Sequence, residues 1–120
     1  MARRSRWLPF GVACGGLLLM AGLGFAVTRP PAPPPSYAEA RAVVDRHCVA
    51  CHSENPTVPA FPIAPAGVKL DTLEQMQKYA ERSRLRATVQ KTMPLMNKTG
   101  ITDNERTILA RWAEGGARAP

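Results

Sequence analysis

Cys48-Val49-Ala50-Cys51-His52 reads C-x-x-C-H, and the rest of the chain is organised around it. Two thiols three positions apart on one turn of backbone can each form a thioether with a vinyl group of a flat macrocycle. An imidazole on the next residue then reaches the macrocycle's centre from the same side. The pattern is that of covalent c-type haem attachment. C-x-x-C without the histidine is shared with zinc sites and thiol–disulfide pairs. A zinc site takes about four ligands, and the only further thiol and imidazole in the chain are Cys14 and His47. A thioredoxin-like pair sits in a βαβ pattern, and none surrounds residues 48–52.

Upstream, Ser36-x-x-Glu39 is a capping box that opens a helix running into the motif. Ala38, Ala42, Val43 and Cys48 give that helix a thin apolar face. His47 adjoins a tethered thiol, cannot turn to the iron, and is expected at the surface. Before the helix, residues 29–36 read Arg-Pro-Pro-Ala-Pro-Pro-Pro-Ser. Such a run favours polyproline II at about 3.1 Å per residue, a spacer of roughly 20 Å at most with no ligand role of its own.

Residues 7–28 carry no charge. As a helix they span about 33 Å, enough to cross a bilayer core. Arg3, Arg4 and Arg6 precede the run and Arg29 follows it, which keeps the leader in the cytoplasm and exports the remainder. A cleaved signal peptide is the alternative, with Gly24 and Ala26 as the small residues before a cut. The apolar run exceeds the usual signal length, which favours an uncleaved anchor. Cys14 is read as a small residue in that run, since Gly11-Val12-Ala13 is a poor lipoprotein match. The chain's net charge of +7 includes four arginines among the first 36 residues with no acid beside them. The part from Tyr37 onward carries a balance of only +3 by the same count. No aromatic-interleaved basic stripe of the nucleic-acid-binding type is present. The division expected is an anchor over 1–28, a linker over 29–36 and one domain over 37–120, with the domain in the periplasm.

Within that domain, Pro56, Pro59, Pro62 and Pro65 recur every third residue, which predicts a polyproline face draped over the macrocycle. A proline carbonyl there is expected to accept the Nδ1 hydrogen of His52. Asp71-x-x-Glu74 is a second capping box, followed by Leu73, Met76, Gln77 and Ala80 at helical spacing, with Met76 as core filler. A further helix is expected over residues 82–91, with Leu85 and Val89 four apart. Arg82, Arg84, Arg86 and Lys91 form either a solvated face or a docking surface for a partner. In Thr92-Met93-Pro94-Leu95-Met96-Asn97, Pro94 ends the preceding helix and extends the backbone. Met93 is the expected second axial ligand, through its thioether, and Met96 is the runner-up. His/Met ligation raises the iron's reduction potential. Thr102-x-x-Glu105 is a third capping box. Ile101, Ile108, Leu109 and Trp112 supply an apolar stripe, Gly115-Gly116 ends the helix, and Trp112 is expected on the first helix.

Taken together, residues 36–116 resemble a small class I c-type cytochrome: a helix ending in Cys48-Val49-Ala50-Cys51-His52, a Met93-Pro94 loop, and a last helix bearing Leu109-Ala110-Arg111-Trp112. The resemblance implies an all-α fold in which the first and last helices cross by the haem. The run from Met93 to Thr102, with Glu105-Arg106, Trp112, Asp71-Thr72 and Ala64-Pro65-Ala66-Gly67-Val68, is similar to the cytochrome c domain of membrane-bound bacterial urate oxidases. That family joins its cytochrome to a large multi-helix membrane part, whereas this chain has one apolar segment, and a Gly is expected there where this chain has Met96. The function expected is a membrane-tethered periplasmic electron carrier with one haem c, held by Cys48 and Cys51 and ligated by His52 and Met93. Its partners are a redox donor and acceptor, and it is not itself an enzyme. The alternatives are a haem-based gas sensor with an open iron position, and an electron-accepting subunit of a urate-oxidising or terminal-oxidase complex.

Overall fold

The structure, a computed structural model, describes residues 30–120. These residues are helical, and no strand occurs among them. Four α-helices follow in order: α1 (Tyr37–His47), α2 (Leu73–Lys78), α3 (Ala80–Arg84) and α4 (Asp103–Glu114). Short 3-10 turns cover Pro65–Gly67 and Leu95–Asn97, and a π-helical turn covers Leu85–Val89. Among the described residues no helix is long and apolar enough to cross a membrane. The expected anchor, residues 7–28, lies outside them.

α1 begins where Ser36 predicts, with Ser36 and Glu39 each bonding the other's backbone amide. Its buried residues are Ala40, Val43, Val44 and His47, a stripe at i, i+3, i+4 and i+7. This corrects the apolar face expected from sequence: Ala38 and Ala42 are exposed. It also corrects His47, which is 6% exposed rather than a surface residue. The helical period turns it inward, where its Nδ1 meets the Thr99 hydroxyl at 2.9 Å. Its Nε2 lies 3.1 Å from Glu105 Oε1 without a hydrogen bond to it.

α4 packs antiparallel on α1. Arg46 and His47, at the end of α1, meet Glu105 in the first turn of α4. Tyr37, at the start of α1, stacks at a tilt on Trp112 with ring centroids 6.3 Å apart. Trp112 is 4% exposed and is the largest side chain of the core, as expected of it. Met76, at 2% exposed, fills the space beneath α2. Arg41 ties α1 to the approach of α2 by donating to the carbonyls of Leu70 (2.6 Å) and Asp71 (2.9 Å).

The second cap lies one residue later than sequence suggests. Thr72 and Gln75 form the box, because the Asp71 carboxylate is taken by the Glu54 amide at 2.8 Å. The expected helix over 82–91 is likewise replaced by α3 and the π-helical turn. Wider winding turns Ala87 inward and leaves Leu85 and Val89 exposed. The regular proline face over 56–65 does not form. A turn closed by Phe61 N–H on the Val58 carbonyl (2.9 Å) and the Pro65–Gly67 turn bend the chain twice.

The proline segment before α1 belongs to the folded unit, which spans Pro31–Pro120. Arg111 donates to the carbonyls of Ala32 and Pro33, each at 2.6 Å. Pro34 lies so close to Gly115 that a Cβ there would sit 2.6 Å from the proline ring. Gly115 is therefore required by close approach, not only as a helix stop.

Glu105 serves three groups at once. The Thr102 amide, then the approach of His47, then the Thr102 hydroxyl hold its carboxyl down from an ordinary 4.5 to about 2. Because the folded value is the lower one, the stabilisation is complete above about 4.5 and is lost as pH falls toward about 2. Thr102→Ala is expected to cost about 1 kcal/mol and to move the acid unfolding limb to higher pH, both measured by circular dichroism. An unchanged acid limb would count against this role for Glu105.

Candidate functional site

α1 stops at His47, and the motif forms the turn that follows it. The Cys48 amide closes on the Val44 carbonyl at 2.9 Å. The Cys48 carbonyl then accepts from both the Cys51 amide (3.1 Å) and the His52 amide (2.8 Å). This winding sets Cys48 and His52 on the wall of a cleft of about 340 Å³, within the size range of small-cofactor sites. Cys51 is half-buried on the same turn but does not line the cleft.

The cleft's floor is Val44 of α1 and Leu109 of α4, and its sides include Val68, Leu70, Ala87 and Leu95. Burial among apolar groups, with Cys51 and Asp45 nearby, pushes the Cys48 thiol up to about 12. A free thiol there stays protonated at neutral pH and is a poor nucleophile for disulfide exchange. That argues against a thioredoxin-like pair. A thioether, which carries no proton, suits the apolar wall.

His52 is oriented by a backbone carbonyl. Its Nδ1 lies 3.0 Å from the Val68 oxygen, which can only accept, so Nδ1 carries a hydrogen and Nε2 is the nitrogen left for a ligand in the neutral ring. Such a bond fixes the ring and raises the basicity of the free nitrogen. The acceptor is Val68 and not one of the prolines, because the Pro65–Gly67 turn brings residues 68–70 alongside His52. The Leu70 amide donates to the His52 carbonyl at 2.9 Å in the same pairing. Of the four prolines, only Pro65 lines the cleft.

Met93 lines the same cleft, and Met96 does not. Met96 is 75% exposed, turned outward by a backbone with φ of 51°. The amides of Thr92 and Met93 both donate to the Arg86 carbonyl, at 2.9 and 3.1 Å. The Met93 carbonyl accepts from Arg106 at 2.8 Å. Among the basic residues singled out from sequence, Arg82 and Arg86 sit at the cleft's edge. Arg84 pairs instead with Glu81 and Glu114, and Lys91 with Asp103.

Sequence reasoning did not single out Arg106 or Val68 for the site. Arg106 has a detectable signature, a charge three residues before Leu109 on a helix face that is otherwise apolar. The role of Val68 is played by its carbonyl, which its side chain does not advertise.

Among the described residues no three His, Cys, Asp or Glu side chains gather as an ion site. The cleft brings together one imidazole, of His52, and one thioether, of Met93, a donor pair that could hold an iron porphyrin. Compared with known proteins, the chain matches no family model, no curated protein and no solved structure.

Proposed function

We propose that this protein is a membrane-tethered, periplasmic c-type cytochrome with one haem, passing single electrons between redox partners. The observation that carries the proposal is the shared cleft: Cys48, His52 and Met93 line it together, with His52 Nδ1 committed to the Val68 carbonyl. Bound haem would supply a one-electron Fe(III)/Fe(II) couple. Cys48 and Cys51 hold it through thioethers, so it stays with the chain through partial unfolding. His52, through Nε2, and Met93, through its sulfur, would hold its iron. The apolar lining of the cleft, Val44, Val68, Leu70, Ala87, Leu95 and Leu109, would limit water at the bound group. The antiparallel pair α1 and α4 corresponds in this proposal to the crossing amino- and carboxy-terminal helices of a small cytochrome c. Residues 7–28 supply the anchor, and Arg82 and Arg86 favour an acidic partner at the cleft edge.

The test is maturation of the full chain in a host with covalent haem-attachment machinery. The expected result is an intact mass raised by one haem, with the adduct mapped to Cys48 and Cys51, and a Soret band. Matured protein with neither the adduct nor Soret absorption refutes the proposal.

A further inference from the structure

Arg106 is buried at 6% exposure on α4, yet no carboxylate bonds its guanidinium. Its donors go to three neutral oxygens. Two are the Ala87 carbonyl and the Met93 carbonyl, the latter at 2.8 Å. The third is Asn97 Oδ1 at 3.3 Å. Burying a cation is costly unless its hydrogen bonds are made, and bonds from a charged donor are roughly twice as strong as neutral ones. These acceptors are not scattered. Ala87 lies in the π-helical turn before the methionine loop, Met93 is the residue that enters the cleft, and Asn97 closes the loop. With the Arg86 carbonyl gripping the Met93 amide from the other side, the Met93 peptide is held at both its N–H and its C=O. A leucine at 106 would continue the apolar stripe with Leu109, so packing alone does not call for a cation. The three oxygens do.

We infer that Arg106 is the positioning residue for the Met93 thioether. It fixes the backbone on which the sulfur is carried and so holds the distal ligand in the cleft. This inference rests on the axial role proposed for Met93.

The experiment compares matured wild-type holoprotein with Arg106→Leu, Arg106→Gln and Arg106→Lys. The readouts are the weak far-red band that sulfur ligation gives ferric haem, the affinity for added imidazole, and far-ultraviolet circular dichroism. The neutral variants are expected to keep the covalent haem and helix content. They lose the far-red band on warming well before the helices melt, and they bind imidazole about tenfold more tightly, since a loosened loop yields the iron more readily. Arg106→Lys, which keeps the charge but not the planar fork, falls between them and wild type. In a Met93→Ala background, Arg106→Leu adds nothing to imidazole affinity, because there is no sulfur left to hold. Wild-type behaviour in both neutral variants overturns the inference while leaving the Met93 ligand intact. So does an equal effect of Arg106→Leu with and without Met93, or failure of both neutral variants to mature, since each marks a general structural role. Absence of the band in wild type overturns the Met93 ligand itself, and the inference with it.

Discussion

On the proposed haem ligation, ferric protein carrying Met93→Ala is expected to lose its far-red sulfur band and to drop in reduction potential by on the order of 0.2 V, a fraction of the ~0.8 V that axial ligands command. Met96→Ala leaves both as they were. The two methionines differ in surroundings, not in chemistry. Met93 faces the cleft that His52 lines, with its peptide bonded on both sides. Met96 is three-quarters exposed and outside the cleft. A thioether stabilises ferrous iron relative to harder donors, so its removal leaves the oxidised state favoured. Spectroscopy and redox titration of the two variants decide the matter. Loss of the band in Met96→Ala with retention in Met93→Ala would reverse the assignment.

The second large effect is on stability. Trp112→Ala is expected to cost about 3–5 kcal/mol, the range for truncating a buried aromatic side chain. A domain of this size has roughly 5–15 kcal/mol in total, so the change removes between about a fifth of its stability and all of it. Trp112 fills the seam between α1 and α4, packs on Tyr37, and uses its indole N–H on the Arg118 carbonyl at 3.1 Å. Its loss therefore opens a cavity and leaves an unpaired carbonyl. Denaturant unfolding monitored by helical circular dichroism measures the change. A loss under about 1 kcal/mol would mean that the seam collapses to fill the space, contrary to the close packing of cores.

What the sequence revealed and what it hid divide along a physical line. Ser36 with Glu39 and Thr102 with Glu105 were legible because a capping box is satisfied within four residues. Asp71 and Thr72 both fit the same local rule, and only a distant partner, the Glu54 amide, decided between them. His47 was judged by its adjacency to Cys48, when its place in the 40/43/44/47 stripe determined its burial. Leu85 and Val89 looked like one helical face, but that inference assumes 3.6 residues per turn, which the π-helical turn does not keep. In the candidate site, Cys48, His52 and Met93 were singled out by their side-chain chemistry, and the structure sets all three on one cleft. Two of the groups that hold them were not, because the Val68 and Arg86 carbonyls are backbone atoms that every residue possesses; the third, the Arg106 side chain on the Met93 carbonyl, was passed over although its charge interrupts an apolar face.

The contact of Ala32, Pro33 and Pro34 with α4 has a practical corollary. A soluble fragment trimmed to begin at Tyr37 would discard the Ser36 cap and strip Arg111 of both its acceptors. Cutting ahead of Pro31 retains the whole folded unit. In the proposed tether, Ala32, Pro33 and Pro34, held against the domain, would give up about 9 Å of reach at ~3.1 Å each.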